Sequence, residues 1–246
     1  MYGWRARVGH VAPSRGDVLV YEFYRMLPEG FMLLNTTGTI RQLVDTDFDK
    51  QLKRIEEAAV DLAENGCDVI IIGGSPLFTK LGYGSDIEVG RRLSEKAKVP
   101  VFAGITGEVE ALKRLGIKKV VVATPHEDEL NQRMKKFLEA SGFEVLKIEG
   151  YGIRKNSDIA ELSEHAAYKI AKKLYEKAPD ADGVFVPCPR WPTIGDVALL
   201  ESEIKKPVVT SCQAYIWYAL EIARVKEKIE GYGKLMGTLG SELPHA

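Results

Sequence analysis

Chemistry in this chain concentrates in four short segments: Pro13-Ser14-Arg15-Gly16, Gly73-Gly74-Ser75-Pro76, Thr124-Pro125-His126-Glu127 and Pro187-Cys188-Pro189-Arg190-Trp191. Each follows a run rich in β-branched residues and precedes a helix or turn, so backbone N–H groups there can converge on an anion. Cys188 is the sharpest of these residues, because a thiol with an ordinary pKa of about 8.5 can carry a proton to or from carbon. Cys67, after Gly66, reads as a small buried hydrophobe, and Cys212 as a residue at the turn into a helix. His126 stands at an expected helix start, where the dipole disfavours the imidazolium and leaves a neutral group that can hydrogen-bond or cap.

Other chemistries lack their residues. No GxGxxG follows a strand, no GxxxxGK[ST] occurs, and Ser75 sits in Gly-Gly-Ser-Pro-Leu, which is not a hydrolase elbow. His10, His126, His165 and His245 are scattered, without the spacing of metal ligands. A mechanism with no cofactor and no metal is the expectation.

The elements that must position these segments follow from periodicity. Eight strands are predicted: Ala6–Ala12, Phe31–Asn35, Asp68–Ile72, Val99–Ala103, Lys119–Ala123, Glu144–Ile148, Gly183–Val186 and Pro207–Thr210. Between them, Phe48, Leu52, Ile55, Ala59 and Leu62 recur at helical spacing, as do Leu130, Met134 and Phe137, and Leu162, Ala166, Ile170 and Leu174. Gly66, Gly116 and Gly142 stand where left-handed helix caps belong. Strands alternating with helices give an α/β fold with parallel sheets. The strands also repeat: Arg7–Pro13 resembles Lys118–Pro125, Asp68–Gly73 resembles Gly183–Cys188, and Val99–Ala103 resembles Lys206–Thr210. Two similar Rossmann-like lobes related by a pseudo-twofold are expected, residues 1–114 with 214–246 and residues 115–213, with the site between them at the strand exits. The helix Ala214–Lys226 is expected to cross back onto the first lobe.

Composition narrows the partners. The 34 basic and 35 acidic residues give a formal net charge of −1, without the basic surplus of a nucleic-acid binder. No apolar run approaches a membrane span, and Met1–His10 lacks the apolar core of a signal peptide. Three cysteines with no CxxC fit a reducing cytoplasm.

Taken together, these segments resemble the aspartate/glutamate racemase superfamily, and more closely its arylmalonate decarboxylase and maleate isomerase branch. The resemblance runs the length of the chain, through Pro13, Gly73-Gly74-Ser75, Ala123-Thr124-Pro125-His126 with Asp128 and Asn131, Pro187-Cys188, Pro207–Ser211 with Trp217, and Gly231–Leu235. It implies that racemases and isomerases carry two facing cysteines, whereas here the second position is Cys188 and the first is Gly73. One thiol is the decarboxylase arrangement: a carboxylate leaves, and Cys188 protonates the planar enediolate from one face. The same resemblance implies that Gly74, Ser75, His126 and the backbone at Cys188 and its successor hold the enediolate, with Pro13, Ser14 and Leu43 nearby. His126 stands where tyrosine is common. Pro189 replaces a glycine and removes an N–H donor. Arg15, Arg41 and Arg190 bring charge where a leaving carboxylate would want an apolar pocket. The expected ligand is a small carboxylate or dicarboxylate, and the expected assembly a monomer or homodimer. The first expectation is a cofactor-independent decarboxylase of a malonate-type diacid. An isomerase or racemase using Cys188, alone or with His126, and a binding protein for carboxylates that has lost turnover are the alternatives.

Overall fold

The computed structural model describes residues 2–38 and 51–241. Leu43 and Arg41, and Phe48 of the expected helix, lie outside the described residues. Among the described residues, eight strands form two sheets: β1 (Ala6–Ala12), β2 (Phe31–Thr37), β3 (Val69–Ile72) and β4 (Val101–Ala103), then β5 (Lys119–Thr124), β6 (Glu144–Gly150), β7 (Gly183–Val186) and β8 (Val208–Thr210). Their orders are β2-β1-β3-β4 and β6-β5-β7-β8, with every pair parallel. In both sheets the order reverses between the first and third strands, the crevice where open α/β sheets bind ligands. Gly66, Gly116 and Gly142 have φ of 82°, 68° and 95°, as helix caps in the left-handed region require.

The lobes repeat in detail. Arg7 N–H donates to the Asp68 carboxylate at 2.7 Å while Asp68 N–H returns a bond to Arg7 O at 2.8 Å. Lys119 N–H and Asp182 make the same exchange at 2.8 and 2.7 Å. This register equates Asp68 with Asp182, one residue away from the alignment expected from sequence. Gly74 thereby becomes the counterpart of Cys188, and Gly73 that of Pro187. The backbone agrees, since Gly74 has φ 100° and Cys188 has φ 101°.

Two glutamates of the first lobe and one of the second join the halves. Glu22, on the helix Asp17–Met26, accepts from Thr193 N–H at 2.7 Å and Ile194 N–H at 3.1 Å. Glu108, on the helix Gly104–Arg114, meets Ser211 at the start of the helix Ser211–Ile222. Glu201 accepts from Val208 and Lys234 N–H groups, both at 2.9 Å. The Ser211–Ile222 helix follows the last strand of the second sheet but packs on the helix Gly104–Arg114 and on β3 of the first. After it the chain bridges both lobes: Lys234 is held by Glu201, while Arg114 donates to Thr238 O and Ser241 O at 2.8 and 2.6 Å.

The two crossing helices approach closely because Gly104 has no side chain. A Cβ there would collide with the hydroxyl end of the Tyr215 ring, which is fully buried. Gly104→Ala is expected to lower stability by about 1–3 kcal/mol, read as a lower urea midpoint with unchanged slope; a midpoint equal to wild type would contradict this packing.

Candidate active site

The strand exits converge on a cavity of about 50 Å³, space for about four waters at roughly 10–15 Å³ each. Pro13 and Ser14 from the β1 exit, Gly74 and Ser75 from β3, His126 from β5, and Cys188, Pro189 and Arg190 from β7 all line it. Gly73 does not line the cavity. It lies beneath, where a Cβ would come 2.7 Å from His10 Nε2.

Cys188 is the one cysteine lining the cavity among the described residues. Burial pushes its thiol up to about 12, against the pull of the Arg190 and Trp191 N–H groups and the Arg190 charge. The thiol is therefore neutral at physiological pH, a proton donor before it is a nucleophile. Its backbone sits in a left-handed conformation that a side chain strains, at a typical cost of about 1–3 kcal/mol. The Cys188 N–H is spent inside the protein, donating to Ser211 Oγ at 2.7 Å. That corrects the expectation that this N–H faces the substrate, and Pro189 offers none in its place.

Ser75 is likewise engaged. Its Oγ lies 3.0 and 3.2 Å from the two Glu108 carboxylate oxygens and 3.4 Å from the Tyr215 hydroxyl. Ser211 Oγ donates to the same carboxylate. Glu108 is 0% exposed, and burial raises its pKa to about 7 despite the two serine hydroxyls.

Arg190 supplies charge. It is 6% exposed, and its Nη1 donates to Arg15 O at 3.1 Å and reaches Ser14 Oγ at 3.5 Å. Asp17 is 3.9 Å away, and Nε and Nη2 have no hydrogen-bond partner among the described residues. Burial disfavours the guanidinium, so a carboxylate on its open edge would relieve a desolvated cation. Arg15 is mostly exposed and paired with Asp17.

Two imidazoles complete the lining. His126 is fixed by its own N–H to Thr124 Oγ1 at 3.1 Å, with Thr124 donating to Asn131 at 2.6 Å. Burial, rather than the helix dipole, brings it down to about 4, since the helix starts only at Asp128. His10, 2% exposed, was not among the expected site residues. Its Nδ1 meets Asn35 Oδ1 at 2.7 Å, which places the hydrogen on Nδ1 and leaves the Nε2 lone pair over Gly73. It too is lowered to about 4 by burial. Nε2 of His10 and Nδ1 of His126 have no partner among the described residues.

Two like-wound lobes whose strand exits meet at a cavity lined by a cysteine fit the aspartate/glutamate racemase-like class. Within that class the chain belongs to the arylmalonate decarboxylase family, whose model matches residues 9–236. It is 23% identical over 229 residues to arylmalonate decarboxylase of Bordetella bronchiseptica, covering 93% of this chain and 95% of that one. It is 20% identical to maleate isomerase of Geobacillus stearothermophilus, covering 94% and 96%. A cysteine-to-serine variant of Nocardia farcinica maleate cis-trans isomerase, solved with a covalently bound succinylcysteine intermediate, superposes with a TM-score of 0.88 at 19% identity, covering 95% and 98%.

The buried imidazoles contribute to the acid stability. Folded, both stay neutral down to about pH 4; unfolded, they take a proton below about 6.5. Stability is therefore full above 6.5 and falls as pH drops toward 4, by about 3 kcal/mol for each. Glu108 works in the opposite sense, its contribution present below 4.5 and lost as pH rises to about 7. Burial raises Glu22 and Glu201 in the same sense as Glu108, so the imidazole contribution is read as a difference: the urea midpoint of His126→Phe should gain on that of wild type as pH falls from 6.5 to 4. A difference that stays constant over that range would show that His126 is not buried neutral.

Proposed function

We propose that the chain is a cofactor-independent enzyme acting at a carbon next to a carboxylate, with decarboxylation of a small malonate-type diacid as its reaction. The observation that carries this reading is a neutral thiol, Cys188, lining a small cavity together with Arg190, whose Nε and Nη2 have no partner among the described residues. The guanidinium binds the retained carboxylate. The bond to the other carboxylate breaks, carbon dioxide departs, and the electron pair stays on carbon as an enediolate whose charge faces Arg190. The Cys188 S–H bond then breaks and its proton goes to carbon; solvent re-protonates the thiolate. Pro13 and the neutral imidazoles keep the space low in charge, which favours departure of a neutral product. Kinship with decarboxylases and isomerases supports chemistry beside a carboxylate, and the lone thiol supports the first of the two.

One observation favours isomerisation or racemisation instead: His10, from the opposite lobe, lines the same cavity, and its Nε2 has no partner among the described residues. Substrates incubated in deuterated buffer separate the two. Release of carbon dioxide with one deuterium incorporated supports decarboxylation, and exchange or inversion without release supports the alternative. Cys188→Ala should lower turnover by about 10²-fold or more, as expected for losing a positioned acid. Turnover that survives this change at wild-type rate removes Cys188 from the chemistry. Arg190→Lys keeps the charge but loses the fork, and should raise KM by about tenfold or more with a smaller change in kcat.

A further inference from the structure

A carboxyl group that the proposed chemistry does not use stands behind the cavity wall. Glu108 is fully buried and is reached by hydroxyls from both lobes, Ser75 on one side and Ser211 on the other. Its protonation state dictates where those hydrogens point. When Glu108 is ionised it accepts from both serines, and Tyr215 can donate to Ser75 Oγ. Ser75 then shows the cavity only lone pairs, which repel a carboxylate. When Glu108 is protonated, its own hydrogen goes to Ser75 Oγ across the 3.0 Å contact, and the Ser75 hydrogen is released to turn into the cavity. Ser211 still donates to the other oxygen and keeps its hold on the Cys188 N–H.

We propose that Glu108 is a positioning residue whose protonated form makes Ser75 a hydrogen-bond donor to the bound carboxylate, so that substrate binds together with a proton. This deepens the reading above and rests on its assignment of the cavity to small carboxylates. The groups facing Glu108 are neutral ones: Tyr215 and Cys212 from the Ser211–Ile222 helix and Cys188 from the β7 exit. On neighbouring elements, Asp86 is engaged by Thr106 at 2.7 Å and Tyr218 feels burial and the charge of Glu110, while Lys80 belongs to the last turn of the helix Ser75–Leu81. β4 and β8 carry no titratable residue. The raised pKa of Glu108, about 7, places the exchange within the physiological range, well separated from the imidazoles at about 4.

Calorimetric titration with malonate and with maleate, in buffers of different ionisation enthalpy from about pH 5 to about pH 9, reads the coupling without requiring turnover. The expected result is affinity that is level below about pH 7 and falls about tenfold per pH unit above it, with uptake approaching one proton per ligand. Glu108→Gln should bind with level affinity across the range and take up no proton near pH 8. Should that variant fail to fold, Ser75→Ala is the second test, with weaker binding on the acid side and less proton uptake than wild type. Binding that takes up no proton in the wild type, or an unchanged slope in Glu108→Gln, overturns the proposal while leaving the role of Cys188 standing. Binding with proton uptake but no conversion of any diacid overturns the enzymatic reading and leaves Glu108 in place. Failure of both probes to bind at any pH removes both.

Discussion

A carboxyl group with no exposure to water is costly unless every lone pair and proton is matched. Glu108 meets that condition only because the first lobe brings Ser75 and the second brings Ser211 to the same two oxygens. The relative placement of the lobes is thus set by hydrogen-bond geometry at one point, and the cavity lies directly beside it. Gly104, four residues earlier on the same helix, allows the Ser211–Ile222 helix to come near enough for this meeting. Glu22 repeats the device at the other rim, tying the segment after Arg190 to the first lobe. Sheets wound independently would leave the strand exits free to slide; these carboxylates prevent it.

The parallel α/β architecture and the eight strands were legible because β-branched runs and capping glycines are local signals. The strand exits were legible for the same reason, so Cys188, Ser75, His126 and Arg190 could be named from their neighbours in the chain. What escaped depends on contacts between lobes. His10 looked like one scattered histidine, and only the bare Gly73 beneath it shows why its ring fits there. Glu108 sits at helical spacing among apolar residues, where a lone carboxylate looks like a surface group. Its partner Ser211 is 103 residues away. The repeat itself was visible, but its register was off by one: the similarity of Asp68–Gly73 to Gly183–Cys188 is compositional, whereas Asp68 and Asp182 bind the preceding strand in the same way.

The cavity is unusual in where its donors come from. Backbone N–H groups are the common source of anion binding at strand exits, yet the Cys188 N–H is turned to Ser211 and Pro189 has none. Side chains supply donors beside the remaining backbone: the guanidinium of Arg190, the hydroxyl of Ser75 and the neutral imidazole of His126. Side-chain donors change state with pH and with rotamer, as backbone donors do not. A charged fork in place of peptide dipoles also ties the site to one rigid carboxylate rather than to a diffuse anion.

Cys188 occupies a backbone conformation that its counterpart in the first lobe fills with glycine. Folding alone would choose glycine at both places, since the left-handed region carries no penalty without a side chain. A library of variants sorted only for thermal robustness would therefore drift toward removing the thiol, and directed evolution of this scaffold needs a selection for chemistry running alongside any selection for durability.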